Sequence, residues 1–138
     1  MSVSLLETVV GLSLLVTILI GTAKLIVSIQ RTTIFSNELN VATNAAAEQV
    51  ELVKTLTINE LITLKDDSNF NQFSAQRVVD GKIRALKAIP GQQLPGSIKI
   101  EGVAGGKLMR TIVSVNWQSA IGPGKFTLIW TREVVGGN

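Results

Sequence analysis

From Thr8 to Ala23 the chain carries no charged residue, and beyond Lys24 the apolar character resumes through Ile29. As a helix rising about 1.5 Å per residue, residues 3–29 would reach about 40 Å, enough to cross a hydrocarbon core of about 30 Å, with Lys24 snorkelling to an interface. The segment is therefore expected to be a single transmembrane span that makes contact with membrane lipid. A small-x-small triplet, "GTA" at 21–23, has the look of a signal-peptidase site. The acidic start "MSVSLLE" and the apolar pattern after Lys24 argue against cleavage there. Setting such an anchor aside leaves about a hundred residues, room for one small core and not two.

Glu7 sits at the mouth of this run. An ionised carboxylate costs about 2.5–3.5 kcal/mol at the centre of a bilayer, less near its edge, and is usually kept for a partner. The plainer reading is a first-turn acid that complements the helix dipole, worth about 0.3–1 kcal/mol.

Composition narrows the chemistry. The chain has no His, Cys or Tyr, which removes the commonest general base, the usual soft metal ligands and a thiol nucleophile. Asp66 and Asp67 are adjacent and suit a helix-ending turn better than an acid/base pair. "GVAGGK" lacks the spacing of a phosphate-binding loop. No enzyme activity, cofactor or metal is expected.

After Arg31 no Gly or Pro occurs until Gly81. Leu39, Ala42, Ala46, Val50, Val53, Leu56, Leu61 and Leu64 recur at helical spacing, while Glu38, Glu48, Glu51 and Lys54 fall mostly elsewhere. One continuous helix from about Val3 to about Lys65 is the simplest expectation, ended by "DDSNFNQFS", whose Asp, Ser and Asn favour turns. Ala42 and Ala45–Ala47 suit close helix–sheet packing.

Beyond this point the period changes to two. "SIKIEGV", "KLMRTIVSVNW" and "GKFTLIWTREVV" read as strands of an antiparallel meander, with turns at "AGG" (104–106) and "IGPG" (121–124). A further strand or hairpin is expected around Asp80-Gly81. Trp117 and Trp130 are expected to be core or sheet-face residues. The fold class is α+β: a long N-terminal helix, transmembrane in its first half and amphipathic in its second, packed on a small antiparallel β-sheet. The organisation expected is a 1–30 membrane segment and a 31–138 body, made of helix 31–65, loop 66–75 and strands 76–135.

Charge is uneven along the chain. Residues 31–70 hold three basic and six acidic side chains, whereas from Arg77 onward nine basic residues face Asp80, Glu101 and Glu133. Such ends can attract each other between copies, or the basic end can attract a polyanion. Lys82, Arg84, Lys87, Lys107 and Arg110 are the candidates for a DNA-facing patch. Strand alternation and sparse aromatic interleaving count against it.

"SLLETVVGLSLLVTILIG" resembles the N-terminal segment of type IV pilins and type II secretion pseudopilins. "ATNAAAEQVELVKTL" and "VSVNWQSAIGPGKFTLIWTRE" resemble the outer helix and closing strands of their minor subunits. The resemblance implies processing between Ser2 and Val3 by a prepilin peptidase, with Val3 as a methylated first mature residue, although Ser2 stands where the family has glycine. It implies that Glu7 pairs with the freed N-terminus of an adjacent subunit during assembly on an inner-membrane platform. It also implies a subunit that is single-pass in the cytoplasmic membrane before assembly and then part of a periplasmic or extracellular filament. The alternative is a single-pass anchored binding module that does not polymerise.

Overall fold

A computed structural model describes residues 2–135; Met1, which opens the 1–30 segment, and residues 136–138, which close the 31–138 body, lie outside the described residues. Two helices precede six strands: α1 (Leu5–Thr55), α2 (Ile58–Leu64), β1 (Gln72–Phe73), β2 (Gln76–Val79), β3 (Lys82–Ala85), β4 (Gly96–Val103), β5 (Leu108–Ser119) and β6 (Gly122–Glu133). The architecture is α+β, a long N-terminal helix with its later part packed on a small antiparallel sheet. Packing separates two units, one ending at Ser36 and the other beginning at Asn37.

In the second unit the buried residues of α1 are Val41, Ala42, Ala45, Ala46, Val50 and Val53, a 3–4 spacing that keeps them on one face. That face packs on Phe73, Ala75, Ile98, Val113, Val115 and Trp117, closing the main core. Small alanines let the helix backbone approach the sheet, and the fully buried Trp117 fills the space opposite them. A second cluster forms around Val53, Leu61 and Met109.

The continuous helix expected to Lys65 is interrupted at Leu56 and Thr57. The cause is a capping box. Thr57 Oγ1 accepts from the Glu60 N–H at 3.3 Å, and Glu60 Oε2 accepts from the Thr57 N–H at 2.7 Å. The freed end of α1 is also satisfied, because Arg132 Nη1 donates to the Leu56 carbonyl at 2.8 Å. The break turns Leu61 inward, where it is fully buried. At the far end of α2, Asn71 Nδ2 donates to the Lys65 carbonyl at 2.7 Å, and Asp67 Oδ1 accepts from the Asn69 N–H at 2.9 Å. The "DDSNFNQ" stretch thus ends the helix by the hydrogen-bond competition expected of it.

The sheet order is β1-β4-β5-β6, antiparallel throughout, with β2-β3 forming a separate two-stranded sheet. The anticipated meander is β4-β5-β6. Two details differ from the sequence reading, and the hairpin expected around Asp80-Gly81 forms. The 66–75 loop contains β1, which pairs Gln72 and Phe73 with Ser97 and Gly96. Asp80 and Gly81, both at positive φ (52° and 72°), make a tight hairpin that stays outside the main sheet. The last turn is Ala120-Ile121 and not 121–124, since Gly122 through Gly124 already pair with β5. Pro123 is tolerated there because β6 is an edge strand.

Gly124 lies under the Trp117 indole, where any Cβ would collide with ring atoms Cε2 and Cζ2. The Trp117 N–H donates to Glu38 Oε2 at 3.1 Å, tying helix to sheet. Glu38, placed by periodicity on the polar side, is therefore a half-buried acceptor for the core tryptophan.

Gly124→Ala is expected to destabilise the body by about 1–3 kcal/mol, because a locked, buried indole cannot yield; denaturant unfolding followed by tryptophan fluorescence measures it. Thr57→Ala should cost about 1 kcal/mol, as for other lost N-caps. The Thr57 N–H, and then its hydroxyl, hold the Glu60 carboxyl below the ordinary carboxylate range. A depressed folded pKa stabilises above the unfolded value and is lost as pH falls through the lowered one. Unfolding midpoints across the acid range should show that loss in the native chain and not in Glu60→Gln.

Candidate functional site

Every residue of α1 from Leu5 to Asn37 is exposed. The surface so displayed is mostly apolar over its first 25 or so positions, with Leu5, Leu6, Val9, Val10, Leu12 and Leu14 each about half exposed or more. Such a helix is stable in lipid only if its own polar groups are satisfied within it. The four hydroxyl residues of the uncharged run meet that condition. Thr8 bonds back to the Ser4 carbonyl at 3.3 Å, Ser13 to Val10 at 2.8 Å, Thr17 to Ser13 at 2.8 Å, and Thr22 to Ile18 and Leu19 at 3.0 and 2.9 Å. The helix is long and apolar enough to cross a membrane.

Glu7 lies in the first turn of α1. Its backbone N–H is capped by Ser4 Oγ at 3.2 Å. Among the described residues no cation pairs with its carboxylate. Ser4 is a residue that periodicity overlooked. The Ser-x-x-Glu spacing of Ser4 and Glu7, directly before an apolar run, is the signal that could have found it. Ser2 and Val3 precede the helix and are exposed.

The DNA-patch candidates do not gather on one face. Lys82 and Arg84 lie in β3, where Arg84 stands opposite Arg77. The Lys87 carbonyl accepts from the Gln118 N–H, near the end of β5, whereas Lys107 sits in the turn before its start. Those two positions are therefore separated by most of a twelve-residue strand, on the order of 35 Å. Arg110 stands opposite Glu101, whose carboxyl is held below the ordinary range by its ion pair with Lys99 and by Arg110. Among the described residues no group of three or more carboxylates is placed to hold a metal ion.

If the apolar surface of α1 serves a membrane, one charge in its middle should be costly. Leu15→Arg is expected to disfavour insertion by about 2.5–3.5 kcal/mol, seen as a shift of the chain from the carbonate-resistant membrane fraction to the soluble one. Comparison with models of known protein families, with curated proteins and with solved structures finds no match to this chain.

Proposed function

We propose that the chain is a structural subunit of a type IV pilus-like filament, a minor pilin or pseudopilin. It is held in the membrane by the first part of α1 and polymerises through that helix. The observation that carries this reading is the pairing of two features: an apolar helix exposed all round, and a carboxylate in its first turn that lacks a partner among the described residues. In water the apolar surface is unfavourable, and in lipid the carboxylate is. Packing α1 against copies of itself relieves both if a neighbour's N-terminal amine meets Glu7. Register follows as well, since a subunit one step out of place leaves two charges unpaired. Val3 would supply the amine after processing at Ser2-Val3. A prepilin peptidase and an inner-membrane assembly platform are the partners this reading requires, and the protein acts by assembly without catalysis, cofactor or metal.

The cap between Ser4 and the Glu7 N–H favours a second reading. In it Glu7 only completes the start of α1, and the chain is a membrane-anchored module that does not polymerise. The two separate on the native chain and one substitution measured side by side. Glu7→Gln preserves a capping-box side chain and removes the charge. On the filament reading Glu7→Gln inserts normally yet drops at least tenfold in sheared-filament fractions, as does Glu7→Ala. Normal incorporation of Glu7→Gln would restrict Glu7 to its place in the first turn, and absence of the native chain itself from sheared-filament fractions would favour the module that does not polymerise.

A further inference from the structure

The residues of β2 and β3 are all exposed except the half-buried Val79. Alternation puts Arg77 and Val79 of β2 on one face with their cross-strand partners Arg84 and Lys82. Gln76, Val78 and Ile83 stand on the other. Two clefts against α1 fix which way each face looks. Beside Asn37 and Asn40, a cleft of about 350 Å³ is lined by Arg77, Val79, Asp80 and Arg84. Beside Glu48 and Glu51, one of about 860 Å³ is lined by Gln76, Val78 and Ile83, with Arg77 and Val78 bordering both. The basic face therefore looks toward Asn37, where the chain enters the body. Like charges directly opposite destabilise a strand pair. Among the described residues Arg77, Lys82 and Arg84 form no ion pair, and Asp80 in the turn offsets only one of the three charges.

We infer that the Arg77/Arg84 face of this hairpin docks on the headgroups of an anionic membrane, the one that holds α1. Asn37 follows Ile29, the end of the apolar run, by eight residues, about 12 Å of helix. The headgroup layer takes up about 5–7 Å of that, and the remainder falls within a Debye length of about 8 Å. No Asp or Glu lies between Glu7 and Glu38, so the connection carries only the positive charges of Lys24 and Arg31. Charge also selects the face. The opposite side of the hairpin borders Glu48 and Glu51, and docking on the basic side keeps both carboxylates away from the lipid. An anionic surface attracts each basic residue, about fivefold in binding apiece, and relieves the repulsion between the facing arginines. Nucleic acid fits less well, because Lys87, Lys107 and Arg110 lie elsewhere and extend no stripe of charge from the hairpin. The inference rests on the membrane-held state common to both readings above and not on polymerisation.

The chain has no Cys to compete for a label and no His to bind nickel. Full-length Val79→Cys carrying a nitroxide is reconstituted in phosphatidylcholine vesicles, with or without phosphatidylglycerol, that contain a nickel-chelating lipid. Relaxation of the nitroxide by the headgroup nickel should rise about twofold or more when phosphatidylglycerol is present, and the rise should fade at high salt. The same label on Ala47→Cys, exposed on the acidic side of the hairpin, should change little. Arg77→Gln with Arg84→Gln should abolish the rise, and Arg77→Lys with Arg84→Lys should keep it. Co-flotation of the chain with phosphatidylcholine vesicles reports the anchor separately. Failure to co-float overturns the anchoring and the docking together, whereas co-flotation with equal relaxation in both vesicles overturns the docking alone. A rise that survives the glutamine pair would overturn it too, as would duplex DNA retained on phosphatidylcholine vesicles through Arg77 and Arg84 with no response to phosphatidylglycerol.

Discussion

The body of this protein depends on the close approach of an alanine-bearing helix face to a sheet face dominated by one tryptophan. Ala42, Ala45 and Ala46 contribute little volume, so the backbone of α1 can settle near the sheet; Trp117 supplies the bulk that the alanines lack. Gly124 leaves room for the indole, and Glu38 receives its N–H. The lower cluster follows from the same contact. Once α1 lies on the sheet, its end reaches Arg132, and the turn at Thr57 folds α2 over Met109.

The same helix meets two physical demands along its length. Through Asn37 it exposes every side chain and satisfies its hydroxyls internally, which suits an apolar surrounding. Beyond that point it buries one stripe and leaves the opposite side to polar residues such as Asn44, Glu48 and Glu51. Without a Gly or Pro break between Lys24 and Thr55, nothing in the chain chemistry forces a change of backbone where the demand changes.

Polarity and edges organise the rest. The β2–β3 hairpin joins the body by backbone bonding at its base, where the Leu86 N–H donates to the Ala75 carbonyl at 2.8 Å. It displays Val78 and Ile83 to solvent, 66% and 68% exposed. Among the described residues the main sheet ends at one side with the two residues of β1 and at the other with β6.

Much of this was legible in the residues themselves. The uncharged run dictates an apolar helix because no other arrangement of a single segment satisfies its own backbone in oil, and alternation from Ile98 to Trp130 marks the three strands of the meander because a pleat has period two. Asp80-Gly81 announced its hairpin through a residue pair suited to positive φ. What only tertiary structure decided depends on contacts distant in sequence. Glu38 became an acceptor because Trp117, 79 residues away, was brought to it. The end of α1 at Thr55 is shared: the Thr57/Glu60 capping box is written locally in the chain, whereas the Arg132 donor that meets the Leu56 carbonyl arrives only with the fold. The last turn moved to Ala120-Ile121 because the pairing register with β5 draws Gly122–Gly124 into β6, where Gly124 admits the indole. Periodicity reports which face is buried; it carries no information on which distant group arrives there to fill the space or take the hydrogen bond.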